Sequence, residues 1–276
     1  MKKIASKAIK KFLAVYGYRI EPITHNPYAS DPDYPQYERL LAVPGFLSFP
    51  AFKLFAHLEK LGAEEDSTER ANVLEIGVYC GMSLLGLGMI YKKRKITGVD
   101  PFFEAFEGTS FDAESEFLKH KAKNMTGTER MSNLLEKAEE FGMQERIDLR
   151  RITQEEFFKE DPIEKYQLAY IDGEHTNRSI VAFSEKMDEL LARNGFIVFD
   201  DFLSPGFPGI SEAIHTHPSY KRSLFPICYA FNKAVFVYKP RKNYLDERID
   251  RTKQFAKENH FRWHQCDHDT SLVLQG

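Results

Sequence analysis

Val73-Leu74-Glu75-Ile76-Gly77-Val78-Tyr79-Cys80-Gly81-Met82-Ser83 reads as a short apolar strand, a glycine turn and the opening of a helix that should run to about Tyr91. Glycines at such a turn let the backbone pass close to a ligand and expose the helix N-terminus. The spacing is not that of a dinucleotide fold, which would need glycine where Tyr79 and Met82 stand. No Gly-Lys-Ser/Thr follows, so it is not a phosphate loop either. The next apolar run, Ile96 to Val99, ends at Asp100, 23 positions after Gly77, where a carboxylate can accept hydrogen bonds from both hydroxyls of a ribose. The turn, Asp100 and the acidic Glu75 two positions before Gly77 together point to an adenosine ligand without a pyrophosphate.

Outward from this unit, apolar runs and amphipathic stretches alternate. A helix is expected from about Pro50 to Leu61, another near Glu129 to Phe141, a strand at Ile147 to Ile152, and a strand at Leu168 to Ile171. A helix carrying Ile180, Phe183, Met187, Leu190 and Leu191 on one face leads to a strand at Phe196 to Phe199. Two closing runs, Phe225 to Tyr229 and Ala234 to Tyr238, fit a hairpin. This alternation predicts an α/β, Rossmann-like fold: a seven-stranded, mostly parallel sheet with one antiparallel edge strand and helices on both faces. The division expected is an N-terminal helical arm over 1–69, the main domain over 70–240 and a C-terminal extension over 241–276.

Two acidic clusters close two of the apolar runs: Asp172-Gly173-Glu174-His175 follows Ile171, and Asp200-Asp201 follows Phe199. Buried parallel strands deliver polar residues to a site in this way. Three aspartates converging at one sheet edge repel one another unless a cation, a proton or a cationic ligand compensates, so the arrangement suggests a hard-metal site.

The 276 residues, 42% hydrophobic and 29% charged, suffice for one large core with appendages, and a net charge of -3 gives no nucleic-acid footprint. Cys80, Cys228 and Cys266 are dispersed and odd in number, which argues against a disulfide framework or zinc site and for a reducing cytoplasm. Ile4, Ala5, Ala8, Ile9, Phe12, Leu13 and Tyr16 recur at helical spacing opposite Lys3, Lys7, Lys10 and Lys11. Such a basic helix could dock on its own domain or on a second subunit of a homo-oligomer, or rest weakly on an anionic membrane surface. Between Asp100 and the next clear helix, Phe102, Phe103, Phe106, Phe111 and Phe117, with Gly108 and Gly127 as hinges, suit a lid or a helix packed on the sheet. His260, His264 and His268 around Trp263 lack a regular ligand framework.

The stretch Val73 to Ser83, Gly98-Val99-Asp100 and the two acidic clusters resemble class I S-adenosylmethionine-dependent methyltransferases. Within these they are most similar to the methyltransferase domain 24 group, which includes macrocin O-methyltransferase and other bacterial sugar and natural-product O-methyltransferases. Asp200-Asp201-Phe202, Pro208-Gly209-Ile210-Ser211-Glu212 and Phe231-Asn232-Lys233-Ala234-Val235-Phe236 add to the likeness, which spans about 70–240. The resemblance implies that Glu75, Gly77, Tyr79, Gly81 and Ser83 shape the cofactor pocket, with Asp100 on the ribose, Gln154 a candidate for the adenine amine, and Asp172 also among the cofactor-binding residues. It further implies magnesium on Asp172, Asp200 and Asp201, with Glu174 or His175 as the base. Tyr79 stands where the broader superfamily has glycine, and Thr153-Gln154-Glu155 where many relatives have an acidic residue.

The chemistry expected is transfer of a methyl group to a hydroxyl of a sugar or other small polar metabolite. A hydroxyl is a poor nucleophile at neutral pH, and a divalent cation both lowers its pKa and fixes its direction. His175 has the more suitable ordinary pKa for taking the proton; Glu174 would need its own raised by burial or by neighbouring carboxylates. The competing expectation is a noncatalytic S-adenosylmethionine-binding or scaffold protein, tethered by its basic helix.

Overall fold

The computed structural model describes residues 26–63, 71–106, 118–120, 122–160, 165–241, 243–266 and 271–275. The basic helix expected over 4–16, the lid positions Gly108, Phe111 and Phe117, and His268 lie outside them. The chain forms two compact units that divide between Pro35 and Gln36. In the first, Asn26 Oδ1 accepts the Tyr28 N–H at 3.0 Å and Asp31 Oδ1 the Asp33 N–H at 2.9 Å, the side-chain chemistry of consecutive turns. The second unit takes in the rest of the stretch assigned to the arm as well as the C-terminal extension.

Among the described residues nine strands make one sheet: β1 (Asn72–Ile76), β2 (Ile96–Val99), β3 (Ile147–Arg150), β4 (Tyr166–Ile171), β5 (Leu191–Phe199), β6 (Leu224–Ala230), β7 (Lys233–Tyr238), β8 (Arg262–Gln265) and β9 (Leu272–Gln275). Their order is β3-β2-β1-β4-β5-β7-β6-β9-β8. The first five are parallel, and β7 runs antiparallel between β5 and β6. The α/β class with a mostly parallel sheet is as expected. The two strands beyond seven come from the tail: β9 pairs parallel with β6, and β8 antiparallel with β9. Every residue of β1, β2, β4 and β7 is buried, which is why these segments read as continuous apolar runs. Phe231 and Asn232, at φ 53° and 66°, form the two-residue connection of the β6–β7 hairpin, a left-handed pair that matches the strand twist.

Helices cover both faces. On one, α1 (Phe49–Ala63) packs against α2 (Met82–Ile90) and α3 (Tyr244–Glu258), and Phe55 meets Tyr170 of β4 edge-on at 5.1 Å. On the other, α4 (Asn177–Leu190), α5 (Pro208–Thr216) and α6 (Pro218–Ser223) enclose Leu74, Ile76, Ala169, Ile171, Ile197 and Phe199. Alternate strand residues thus face opposite layers. Phe199 is the hub of the second layer, meeting Phe183, Tyr220 and Phe236 edge-on at 5.7–6.3 Å. Each such ring contributes roughly 1.5–3 kcal/mol by burial. A further helix, α7 (Gly127–Glu140), is opened by a capping box between Thr126 and Glu129.

Candidate active site

A cavity of 730 Å³ opens at the C-terminal ends of β1, β2, β4 and β5, where parallel sheets of this kind bind ligands. At one end stands the glycine turn. Gly77 has φ 90°, and a Cβ there would lie 2.0 Å from the Asp172 carbonyl oxygen, so only glycine lets the β1 turn pass against the residue that ends β4. Gly81, also at φ 90°, has Leu134 of α7 in the place of a Cβ. Asp100 binds this turn together: its Oδ2 accepts the N–H of Val78 at 2.9 Å and of Tyr79 at 2.7 Å, and its Oδ1 the N–H of Phe102 at 2.6 Å. Burial raises the Asp100 pKa against these donors.

Glu75, fully buried, accepts a hydrogen bond from Ser83 Oγ, and its Oε2 has no partner among the described residues. Burial, followed by the charges of Asp172, Asp100 and Asp200, drives its pKa well above the usual carboxylate range, although the Ser83 bond opposes the shift. Tyr79 donates its hydroxyl to the Leu118 carbonyl at 2.5 Å and stacks on Phe46 at 5.8 Å. Gln154 lines the same end; its Nε2 is spent on the Ser179 carbonyl at 2.8 Å, leaving its oxygen. The structure therefore brings Gly77, Tyr79, Ser83, Asp100, Gln154 and Asp172 to one cavity wall, with Glu75 directly behind Ser83.

At the other end the two acidic clusters meet. Asp172, His175 and Asp201 offer ligand atoms that all lie within 4.8 Å of one another. His175 Nε2 sits 3.5 Å from Asp172 Oδ1 and 3.5 Å from Asp201 Oδ2, close enough for charge attraction but without a hydrogen-bond partner among the described residues. Phe207 covers the imidazole at 4.3 Å between ring centres. Burial alone would lower the His175 pKa, but the three aspartates, Asp172 foremost, outweigh it and hold the value above 6.5. Asp172 is pushed up to about 6 by burial and by the Asp200 charge. Asp201, a non-glycine residue at φ 51°, is raised by burial and by Asp200, and its Oδ1 accepts from Asn232 Nδ2.

Asp200 is arranged differently from its neighbours. Its Oδ2 accepts from Lys233 Nζ at 2.6 Å and from the Tyr170 hydroxyl, and its Oδ1 accepts the Asp201 N–H at 2.8 Å. Burial would raise its pKa; Lys233, with Tyr170, holds it below the usual range. The repulsion expected among the three aspartates is thus met in part by the chain's own Lys233 and His175, and Asp200 is turned toward Lys233. Glu174 is exposed on the cavity rim, and its carbonyl accepts from Ser179 Oγ at 2.5 Å.

Three residues that the sequence reading did not single out shape this cavity. Lys233 and Tyr170 are described above. Arg130 is 2% exposed and donates to the carbonyls of Tyr79 at 3.2 Å and Phe103 at 2.8 Å, so it clamps the glycine turn to the segment after β2. Its guanidinium lies 4.7 Å from the Phe106 ring centre, within cation–π range. The available signal was its place on the buried stripe Arg130-Leu134-Ala138 of α7, where a charge needs a reason.

Residues 74–202 match the family described as "Methyltransferase domain". No curated protein matches the chain by sequence. Among solved structures, the O-methyltransferase NovP aligns at 12% identity over 68% of this chain and 80% of its own, with a TM-score of 0.52. Cofactor-bound Rv0187 from MTB aligns at 15% identity over 78% of this chain and 94% of its own, also at 0.52. At such identities the likeness is one of fold, and it agrees with the sheet order and with the cavity at the strand ends. No helix among the described residues is long and apolar enough to cross a membrane. The domain match, with the glycine turn facing Asp100, identifies residues 74–202 as a class I S-adenosylmethionine-dependent methyltransferase domain.

Proposed function

We propose that the protein transfers a methyl group from S-adenosylmethionine to a hydroxyl of a sugar or other small polar metabolite, with a divalent cation such as magnesium at the acidic end of the cavity. The observation that carries this reading is the meeting of Asp172, His175 and Asp201 in the cavity whose opposite end is the Gly77–Gly81 turn. Asp100 and Gln154 take the ribose and adenine, and Glu75, Gly77, Tyr79, Gly81 and Ser83 enclose the methionine end. Asp172 would then stand nearest the methyl group.

The residues fit a divalent cation. Asp172 and Asp201 would supply carboxylate oxygens, with Asp200 the third carboxylate beside them, while His175 Nε2, 3.5 Å from both and without a hydrogen-bond partner among the described residues, is left to take a proton. Bound there, such an ion lowers the pKa of an acceptor hydroxyl and fixes its direction. His175 takes the hydroxyl proton at Nε2, since it stands among the carboxylates whereas Glu174 lies exposed at the rim. Phe207 and Phe231 line the cavity beside the polar Asn232, a mixture of apolar and polar lining that suits a sugar.

The test is methyl transfer from labelled S-adenosylmethionine to a panel of polyhydroxylated acceptors, including nucleotide sugars, before and after EDTA treatment and magnesium add-back. Activity lost to EDTA and restored by magnesium is expected. Full activity after chelation would exclude the cation, and transfer to nitrogen or sulfur acceptors alone would exclude the hydroxyl.

A further inference from the structure

The antiparallel register of β5 and β7 sets Ala234 opposite Phe199. The preceding residue on one strand, Lys233, therefore falls beside the following residue on the other, Asp200. The Lys233 side chain is 7% exposed and that of Asp200 13%, with Nζ 2.6 Å from Oδ2. The ammonium also lies 5.3 Å from the Tyr170 ring centre. Tyr170 donates to the same Asp200 oxygen and reaches Asp172 Oδ2 at 3.1 Å. Both Asp200 oxygens are engaged, whereas Asp172 and Asp201 face each other across an imidazole at 3.5 Å from each.

We propose that Lys233 is a built-in counter-cation that holds Asp200 away from the divalent-cation site and so sets how tightly that site binds metal. Removing one partner of a buried ion pair leaves an uncompensated charge, which is strongly unfavourable. A divalent ion that recruits Asp200 must therefore displace Lys233 from it, and the cost of that displacement weakens metal binding. Lys233 acts through Asp200 and is a positioning residue. With lysine gone, Asp200 becomes a third carboxylate seeking a cation. The proposal rests on the cation site described under the proposed function, but it predicts a change in affinity opposite in sign to that caused by simple damage to the site.

The experiment is calorimetric titration of magnesium alone into wild-type protein, Lys233→Met and Lys233→Gln, each saturated with S-adenosylhomocysteine, whose own affinity reports folding. Both variants are expected to bind magnesium at least about tenfold tighter than wild type. Adding Asp200→Asn to Lys233→Met should return the affinity to the wild-type range, which a merely structural lysine would not produce. Cation affinity equal to or weaker than wild type in whichever of the two variants retains S-adenosylhomocysteine binding overturns the proposal, as does magnesium binding to neither wild type nor variants. The cation reading itself is judged on wild type alone, so a variant that gains a site which wild type lacks supports the role of Lys233 while contradicting magnesium dependence.

Discussion

The two ends of the cavity solve the same electrostatic problem by different means. At the β2 end, Asp100 is compensated by three backbone N–H groups, from Val78, Tyr79 and Phe102. At the β4–β5 end, three aspartates are compensated by two side chains, Lys233 and His175. Backbone donors are fixed by the fold and cannot leave. Side-chain cations can lose a proton or be displaced, so the first end is suited to holding an unreactive part of a ligand and the second to chemistry. Two histidines, His57 and His175, make the same point. His57, stacked on Phe255 at 4.4 Å and 3.1 Å from Thr252 Oγ1, is pushed down to about 3 by burial and then by the charges of Arg251, Lys60 and Arg248. His175, among carboxylates, is pushed up.

The largest effect should come from removing the exchangeable proton acceptor. His175→Gln is expected to lower kcat by about 10²–10⁴-fold while leaving S-adenosylhomocysteine affinity unchanged; an equal loss of both would make His175 a structural residue. The same residue fixes the pH profile. Below its raised pKa His175 carries a proton and cannot accept another, so kcat should rise with pH through a value above 6.5, and this limb should vanish in His175→Gln. At the fixed end, Asp100→Ala unpairs three N–H groups at once. It is expected to cost about 2–4 kcal/mol of stability in urea unfolding and to weaken S-adenosylhomocysteine binding more than tenfold. If it instead spared the cofactor and abolished only chemistry, the division between the two ends would fail.

Away from the cavity, His57→Phe should do little at neutral pH. The folded pKa is lowered, so as pH falls below 6.5 the unfolded chain takes up a proton that the folded chain refuses, and stability is lost progressively down to about 3. The variant should flatten that acid limb by an amount on the order of a few kcal/mol. An unchanged limb would mean that His57 is charged in the folded protein.

Much of this arrangement is legible along the chain, because continuous apolar runs such as Phe196 to Phe199 and Leu168 to Ile171 mark buried strands and the residues that follow them lie at the sheet edge. The start of β5 was not legible, since Ala192-Arg193-Asn194-Gly195 carries no apolar signal and lies at an irregularity of the ladder, which pairs Leu191 with Tyr166 and next Phe196 with Leu168. The tail strands escaped for a similar reason: Arg262-Trp263-His264-Gln265 is mostly exposed and is a strand through its ladder with β9. At the site, the positions of Asp172, Asp200 and Asp201 follow from local pattern. Their partners do not, because the contact of Lys233 with Asp200 spans 33 residues and depends on an antiparallel register that no local periodicity encodes.

The most direct test of the two-ended cavity is a crystal structure with S-adenosylhomocysteine and magnesium bound. The account predicts the ribose against Asp100, the thioether sulfur directed at Asp172, and a cation touching Asp172 and Asp201. An adenosine moiety seated among the aspartates, or an acidic end without cation density at saturating magnesium, would contradict it.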